Sequence, residues 1–324
     1  MKQRIPTPQN RPNAPSLADT LNAGAGVFLR RWWVLIIPML IDSWLRWGPP
    51  LSAPGLADWV GAALGDMLRF MGASGAQSEQ AAGAIGALGG HDLRTAGVAT
   101  QLMPSLLSAN LTAPAGLSLA GWQAAPLLIG LNLAALLASS LFLLPLADAI
   151  RQQPAGRAWL RRLLPAAWQL GAYLLLVLGV QLLLGLPALL CSLWLLAISP
   201  LAAQILGTAW LAAMLAVWVY ASFGVEAILV DEPGPLVAAY RSYNIVHARP
   251  WPALALVGAV FVLTYGFRFL LGGMLSTPWG TLLASAAYGA LVAALSAARM
   301  LFYRDRLALL ARTRPVFMAP GSEV

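Results

Sequence analysis

The run RLLPAAWQLGAYLLLVLGVQLLLGLPALLCSLWLLAISPLAAQILGTAWLAAMLAVWVYASFGVE, residues 162–226, carries no charge between Arg162 and Glu226. As continuous helix it would extend on the order of 95 Å, enough for three crossings of a hydrocarbon layer about 30 Å thick. The number of crossings it makes fixes the topology of the chain. Two crossings put Arg151, Arg157, Arg161 and Arg162 on the same side as Arg241 and Arg249, as the positive-inside rule requires, whereas three would separate them. With two, PALLCSLWLLAISP between Pro187 and Pro200 is an outer-face bend or a short interfacial helix.

Outward from this run the chain stays apolar. Hydrophobic residues make up 59% of its 324 positions and charged residues 10%, against roughly 45–50% and 25% in an average soluble domain. Stretches long enough to span lie near 125–148, 164–186, 203–229, 252–275 and 280–302. A sixth, Trp32–Trp47, is shorter and contains Asp42 and Arg46, but Arg30-Arg31 before it and Pro49-Pro50 after it mark two interfaces.

The expected fold is all-α: a polytopic integral membrane bundle of about six transmembrane helices in three hairpins, with cytoplasmic interfacial helices. Both termini are then cytoplasmic, and every Lys/Arg except Arg46, Arg69, Arg94 and Arg268 falls inside. The expected location is a prokaryotic inner membrane. Residues 1–15, rich in Pro, Asn and Gln, read as a disordered tail with no cleavable signal peptide. Residues 16–310 form the membrane domain, with an outer insertion at 49–122, and 311–324 are a second cytoplasmic tail. Within the insertion, Val60, Leu64, Met67, Leu68 and Met71 recur on one helical face, which suits a helix on the outer leaflet or the bundle mouth. QLMPSLLSANL is a second such candidate, and Asn110 opens an NLT sequon.

Three stretches share a design: SLADTLNAGAGVFLRRWW, AGRAWLRRLLPAAW and PLVAAYRSYNIVHARPW precede the first, third and fifth spans. Each is half-apolar, then Arg, then Trp, so each can lie at the headgroup level before the chain turns inward. They are either parallel internal repeats or the ordinary entry chemistry of any cytoplasmic-side span. Ser16 and Asp19 form a capping-box pattern ahead of the first stretch. In the third, Pro235 suits a first helical turn, and Leu236, Tyr240, Tyr243 and His247 share a face.

The net charge of +8 is scattered at the edges of apolar blocks, which argues against nucleic acid as a partner. Cys191, without Cys or His neighbours, makes neither disulfide nor zinc site, so no metal or cofactor is expected. His91 and His247 fall on opposite sides of the membrane, and no HExxH, GxSxG, Walker A or GxGxxG pattern occurs. Intramembrane charges deserve scrutiny because burying them is expensive. Asp42 and Arg46, four apart, can pair; Arg268 lies near the outer boundary; Asp148 and Glu226 lie within reach of the Arg-rich inner loops. A transport path would use Pro38, Asn132, Ser139, Ser140, Pro145, Gln169, Gln181, Thr264 and Tyr265. Ala286, Ala287, Gly289, Ala290, Ala293 and Ala294 favour close helix packing instead.

ILVDEPGPLVAAYRSYNIVHARPW, residues 228–251, has an apolar helix ending in acid, a Gly-Pro turn, an Ala-rich helix with Arg-Ser, and a basic-Trp entry. It resembles a group of six-helix prokaryotic membrane proteins that includes the membrane domain of glycerophosphoryl diester phosphodiesterases. The likeness is strongest over 203–275 and rests on Glu232, Gly234, Arg241, Ser242 and Trp251; Tyr240 and the Pro250/Pro252 pair depart from it. The resemblance implies a membrane module without the soluble phosphodiesterase domain and its acidic metal ligands. The expected function is a non-enzymatic module binding a partner protein or lipid at its cytoplasmic face. The alternative is a transporter or permease component for a small or lipidic substrate.

Overall fold

A computed structural model describes residues 15–52, 54–70, 72, 74–88, 92, 94, 102, 105–106, 117–118, 121–152 and 158–313. Most of both expected tails, His91 and the Asn110 sequon lie outside these residues. Five helical stretches are long and apolar enough to cross a membrane: Ala125–Ile150, Leu160–Ser192, Leu201–Asp231, Pro250–Ser276 and Pro278–Ala311. A sixth crossing is available if α1 (Leu17–Arg30) and the following segment Trp32–Trp47 are counted together across the 86° bend between them.

α1 begins with the expected capping box: Ser16 Oγ accepts from Asp19 N at 3.1 Å while Asp19 Oδ2 accepts from Ser16 N at 3.1 Å. Ser16's donors hold the Asp19 carboxyl below the usual carboxylate range. The helix stops at Arg31, and a 3-10 turn, Trp32–Leu35, leads into α2 (Ile36–Trp47). α11 (Pro278–Thr313) is the central element: half of its most apolar window is buried, and it carries helix past 310. Its small residues allow the expected close approach. A Cβ on Gly24 of α1 would lie 2.4 Å from Ala294 O, and one on Gly289 would lie 2.8 Å from Pro38 Cγ of α2. Near-contact of backbones lets dispersion act where lipid leaves no hydrophobic gain from helix association.

The 49–122 insertion leaves and returns at one point, because Leu51–Ser52 (β1) pairs in parallel with Leu117–Ser118 (β2). Between them α3 (Pro54–Phe70) and α4 (Gly75–Leu88) pack as a helical hairpin, with a Cβ on Gly61 reaching 2.9 Å from Ala82 O. The expected apolar face of α3 is rotated. Gly61, Gly65 and Leu68 are buried whereas Val60 and Met67 are exposed, because α4 seats on the bare glycine backbone rather than on the larger side chains.

α5 (Gly121–Ile150) and α6 (Ala158–Ile198) follow. The stretch before the third span is not a separate surface helix, since α6 is continuous from Ala158. The Pro187–Pro200 segment is not a bend: helix runs through Pro187 to Ile198. The chain turns only at Ser199, whose hydroxyl caps α7 (Pro200–Ala221) ahead of Pro200. Proline disrupts a helix through one lost hydrogen bond and one clash, and the apolar surroundings of this segment favour closing every other backbone bond. α8 (Gly224–Asp231), α9 (Pro235–Ala248) and α10 (Pro250–Leu271) complete the chain before α11. At Arg249 the helix must break, because the residue before Pro250 is sterically driven from the α region; its φ and ψ are −148° and 80°.

The main core gathers at the Arg-rich end, where Phe142, Leu146, Leu170, Ile228 and Tyr303 from four helices interlock with Phe223 from the junction between α7 and α8. Phe223 and Phe302 stack at 5.4 Å. Among the described residues, α6 beyond Val177 takes no part in this cluster and packs instead against α7.

Candidate functional site at a broken span

The fourth span is interrupted where sequence reasoning placed an unbroken helix over 203–229. Helix α7 ends at Ala221 and α8 starts at Gly224, with Ser222 and Phe223 between them. A break inside a span frees carbonyls that have no water to turn to, and each needs another donor. Three side chains from three other helices supply them. Ser242 Oγ of α9 donates to Tyr220 O at 2.6 Å. Tyr173 of α6 donates its hydroxyl to Ala221 O at 2.5 Å, and Arg299 Nη2 of α11 donates to Ser222 O. The same Ser242 oxygen accepts from Phe223 N at 3.0 Å, so one hydroxyl satisfies both sides of the break.

Gly224 is dictated by this arrangement, because a Cβ there would lie 2.1 Å from the Tyr173 hydroxyl. Glu226, in the first turn of α8, sits at the positive end of that helix. Its Oε1 lies 2.7 Å from Arg299 Nε, an ion pair rather than an aligned hydrogen bond, and its buried Oε2 has no hydrogen-bond donor among the described residues. Glu226 was expected to meet an Arg-rich loop; its partner is instead a guanidinium within the sixth span.

Next to the break, four charges form a chain across α5, α6 and the α8–α9 turn. Asp148 pairs with Arg162, Arg162 Nε lies 2.6 Å from Glu232 Oε1, and Arg151 Nη1 lies 2.6 Å from the same oxygen. Glu232 ends α8 in the left-handed region, φ 57°, a position that glycine usually occupies. Its side chain explains its presence there: two guanidiniums hold the carboxylate. Gln152 ends α5 in the same conformation, φ 58°. Arg241 holds Asp231 Oδ2 at 2.8 Å, and Tyr303 donates to that oxygen at 2.8 Å. Arg304 Nη1 donates to Ile150 O at 2.7 Å, completing the C-terminal end of α5.

The residues singled out by family resemblance are therefore split. Glu232, Arg241 and Ser242 lie in this network, with adjacent Arg241 and Ser242 facing different partners. Gly234 has an ordinary extended backbone, φ −60°, with open space around it. Trp251 is 80% exposed. Tyr173, Gly224 and Arg299 were missed, although a serine, a tyrosine and an arginine beside apolar spans are the donors a broken helix would require.

Asp42, Arg46 and Arg268 belong to the opposite end. Among the described residues no ion pair joins Asp42 to Arg46. Asp42 is buried and accepts from Ser105 Oγ at 2.7 Å, Leu106 N at 3.1 Å and Ser285 Oγ at 2.6 Å, while Arg46 is exposed. Hydroxyls and an amide thus compete successfully for the carboxylate inside the bundle. A neighbouring buried pair, Asp92 with Arg94, ties the insertion to α2, because Arg94 Nη1 donates to Trp44 O at 2.9 Å. Arg268 has a buried Nη2 without an acceptor among the described residues. Among the described residues, His, Cys, Asp and Glu nowhere gather in threes with metal-binding geometry. Comparison with known proteins gives no match: no family model, no curated protein and no solved structure aligns with the chain.

Proposed function

We propose that this polytopic helical membrane protein is a non-enzymatic module that binds a partner protein or a lipid through its Arg-rich end. The observation that carries this is the division of labour on α9. Ala238, Ser242, Ile245 and Val246 are buried in the bundle, while Leu236, Tyr240 and Tyr243 remain exposed with Trp251 just beyond. The charges beneath are spent on joining helices in pairs, which fixes α9 rigidly and leaves its aromatic face outward. Aromatic side chains present large contact area at small entropic cost, and suit both headgroup-level anchoring and recognition.

In this reading the Arg-rich end is cytoplasmic, the membrane is a prokaryotic inner membrane, and both termini are inside. After Cys191→Ser, the variants His91→Cys and Arg312→Cys report opposite faces to a membrane-impermeant thiol reagent; labelling of both from one side refutes the orientation. The function is tested by a photo-crosslinking amino acid at position 240 in cells. A discrete protein adduct, or adducts enriched in one lipid class over the bulk membrane, supports the module; adducts that mirror bulk lipid overturn it.

The broken fourth span favours a second reading, a transporter or permease component, because discontinuous helices often frame substrate sites. Here the freed carbonyls already have donors from within the chain. Proteoliposome uptake abolished by Glu226→Gln in a folded protein would establish transport.

A further inference from the structure

The α3–α4 hairpin of the 49–122 insertion has two unlike sides. On a helix of 3.6 residues per turn, Trp59, Val60, Ala63, Met67 and Phe70 of α3 fall within about 100° of one another. All five are exposed, Phe70 at 93%. Gly61 and Gly65, on the far side of the same helix, are seated against Ala82 and Ser78 of α4. The charged residues of α3, Asp58, Asp66 and Arg69, avoid the apolar arc and fall on the flank beside α4. Arg69 donates to Asp66 Oδ1 and to Ser78 Oγ of α4, both at 3.2 Å, and a Cβ on Gly86 of α4 would lie 3.7 Å from Asp58 Oδ1. On α4 itself, Glu79 and Gln80 are exposed. The hairpin is therefore layered: an aromatic arc, α3, α4, then polar side chains.

Its attachment sets its level. α3 begins at Pro54, shortly after α2 ends at Trp47, and Arg94 of the insertion donates to Trp44 O at 2.9 Å. Ile36, Leu40, Trp44 and Trp47 form one exposed stripe along α2, a face turned to lipid, and it runs to the point where the insertion starts. α3 also packs against a span, α5. Periodicity alone left two seats for α3, the leaflet and the bundle mouth, and put Leu64 and Leu68 on its contact face. The observed arc has two aromatic rings and no charge, which suits the boundary between headgroups and acyl chains and not water. We infer that α3 is a membrane-surface helix at the end of the bundle opposite the Arg-rich one. Its Trp59–Phe70 face is sunk in the leaflet, the Asp66–Arg69 pair lies at the water line, and α4 covers it from the aqueous side. With two acids and one base on α3, apolar contact rather than attraction to anionic headgroups holds it there. This surface and the Arg-rich end can fail independently.

The test uses the full chain with Cys191→Ser, reconstituted in nanodiscs of phosphatidylcholine with or without phosphatidylglycerol. Single nitroxide labels are carried by Trp59→Cys, Ala63→Cys, Phe70→Cys and Glu79→Cys. Relaxation by oxygen, which concentrates in lipid, against a water-soluble nickel chelate gives the depth of each label. The labels at 59, 63 and 70 should lie about 5–10 Å into the headgroup–acyl boundary, that at 79 should lie in water, and the depths should be the same in both lipid mixtures. Ala63→Cys removes no large side chain, so its depth decides the matter if the aromatic variants disturb the hairpin. Free access of nickel to all four labels overturns the membrane contact. Shielding of 59, 63 and 70 from oxygen and nickel alike shows protein on this face, a second copy or another chain, and overturns lipid as its occupant. Immersion that requires phosphatidylglycerol overturns apolar contact as the cause.

Discussion

Removing the Ser242 hydroxyl tests whether the fourth span is held broken by side chains of other helices. Ser242→Ala deletes one oxygen from a side chain with 0% exposure. It leaves Tyr220 O and Phe223 N, now bonded at 2.6 and 3.0 Å, without their partner. A buried backbone group left unsatisfied costs about 1–3 kcal/mol, so the two together set a range of about 2–6 kcal/mol. Inter-helix hydrogen bonds in membrane proteins average nearer 0.6 kcal/mol, because the unfolded chain in lipid also finds partners. The expected loss is therefore at the low end, about 2 kcal/mol. Ser139→Ala is the matched control. Its side chain is equally buried, but its hydroxyl bonds Ala135 O within an unbroken helix, where the carbonyl keeps its backbone partner. That change should cost less than about 0.5 kcal/mol. Unfolding in mixed micelles with increasing SDS, followed by tryptophan fluorescence, measures both. Hydrogen exchange localises the effect, with faster exchange expected at Phe223–Ala227 in Ser242→Ala alone. Equal losses for the two variants would refute the account of the break.

The two left-handed positions predict opposite responses to glycine. Gln152→Gly should stabilise by about 1 kcal/mol, since a side chain there strains the backbone, whereas Glu232→Gly should destabilise because it forfeits the contacts to Arg151 and Arg162; the same micelle titration reads both. Arg299→Gln leaves the buried Glu226 carboxylate uncompensated and uncovers Ser222 O, so a loss of about 3 kcal/mol is expected. Arg299→Gln with Glu226→Gln should recover part of it, and a double variant as damaged as the sum of the singles would argue against the pair. Asp42→Asn replaces an acceptor of hydroxyl and amide donors, and should release Ser105 and Leu106 from the bundle. Faster proteolysis of the 49–122 insertion, with the spans intact, is the expected readout.

Most of the architecture was legible without coordinates. Hydropathy and charge are summed residue by residue along a span, and the bilayer reads them locally, so five crossings and the clustering of Arg at one end follow from composition and order. The capping box at Ser16 and Asp19 was legible for the same reason, since both partners lie within one turn. The rotation of α3 was not, because it depends on α4, an Ala/Gly-rich helix with almost no amphipathic signal of its own. Nor was the course of the chain through Pro187, where the surroundings rather than the proline decided the outcome. The broken span was the least visible feature. Nothing in VWVYASFGVE separates Ser222–Phe223 from continuous helix. The groups that stabilise the break come from Ser242, 22 residues from the carbonyl it caps, Tyr173, 48 residues away, and Arg299, 77 residues away. A helix breaks where distant donors can take its carbonyls, and only tertiary structure brings those donors together.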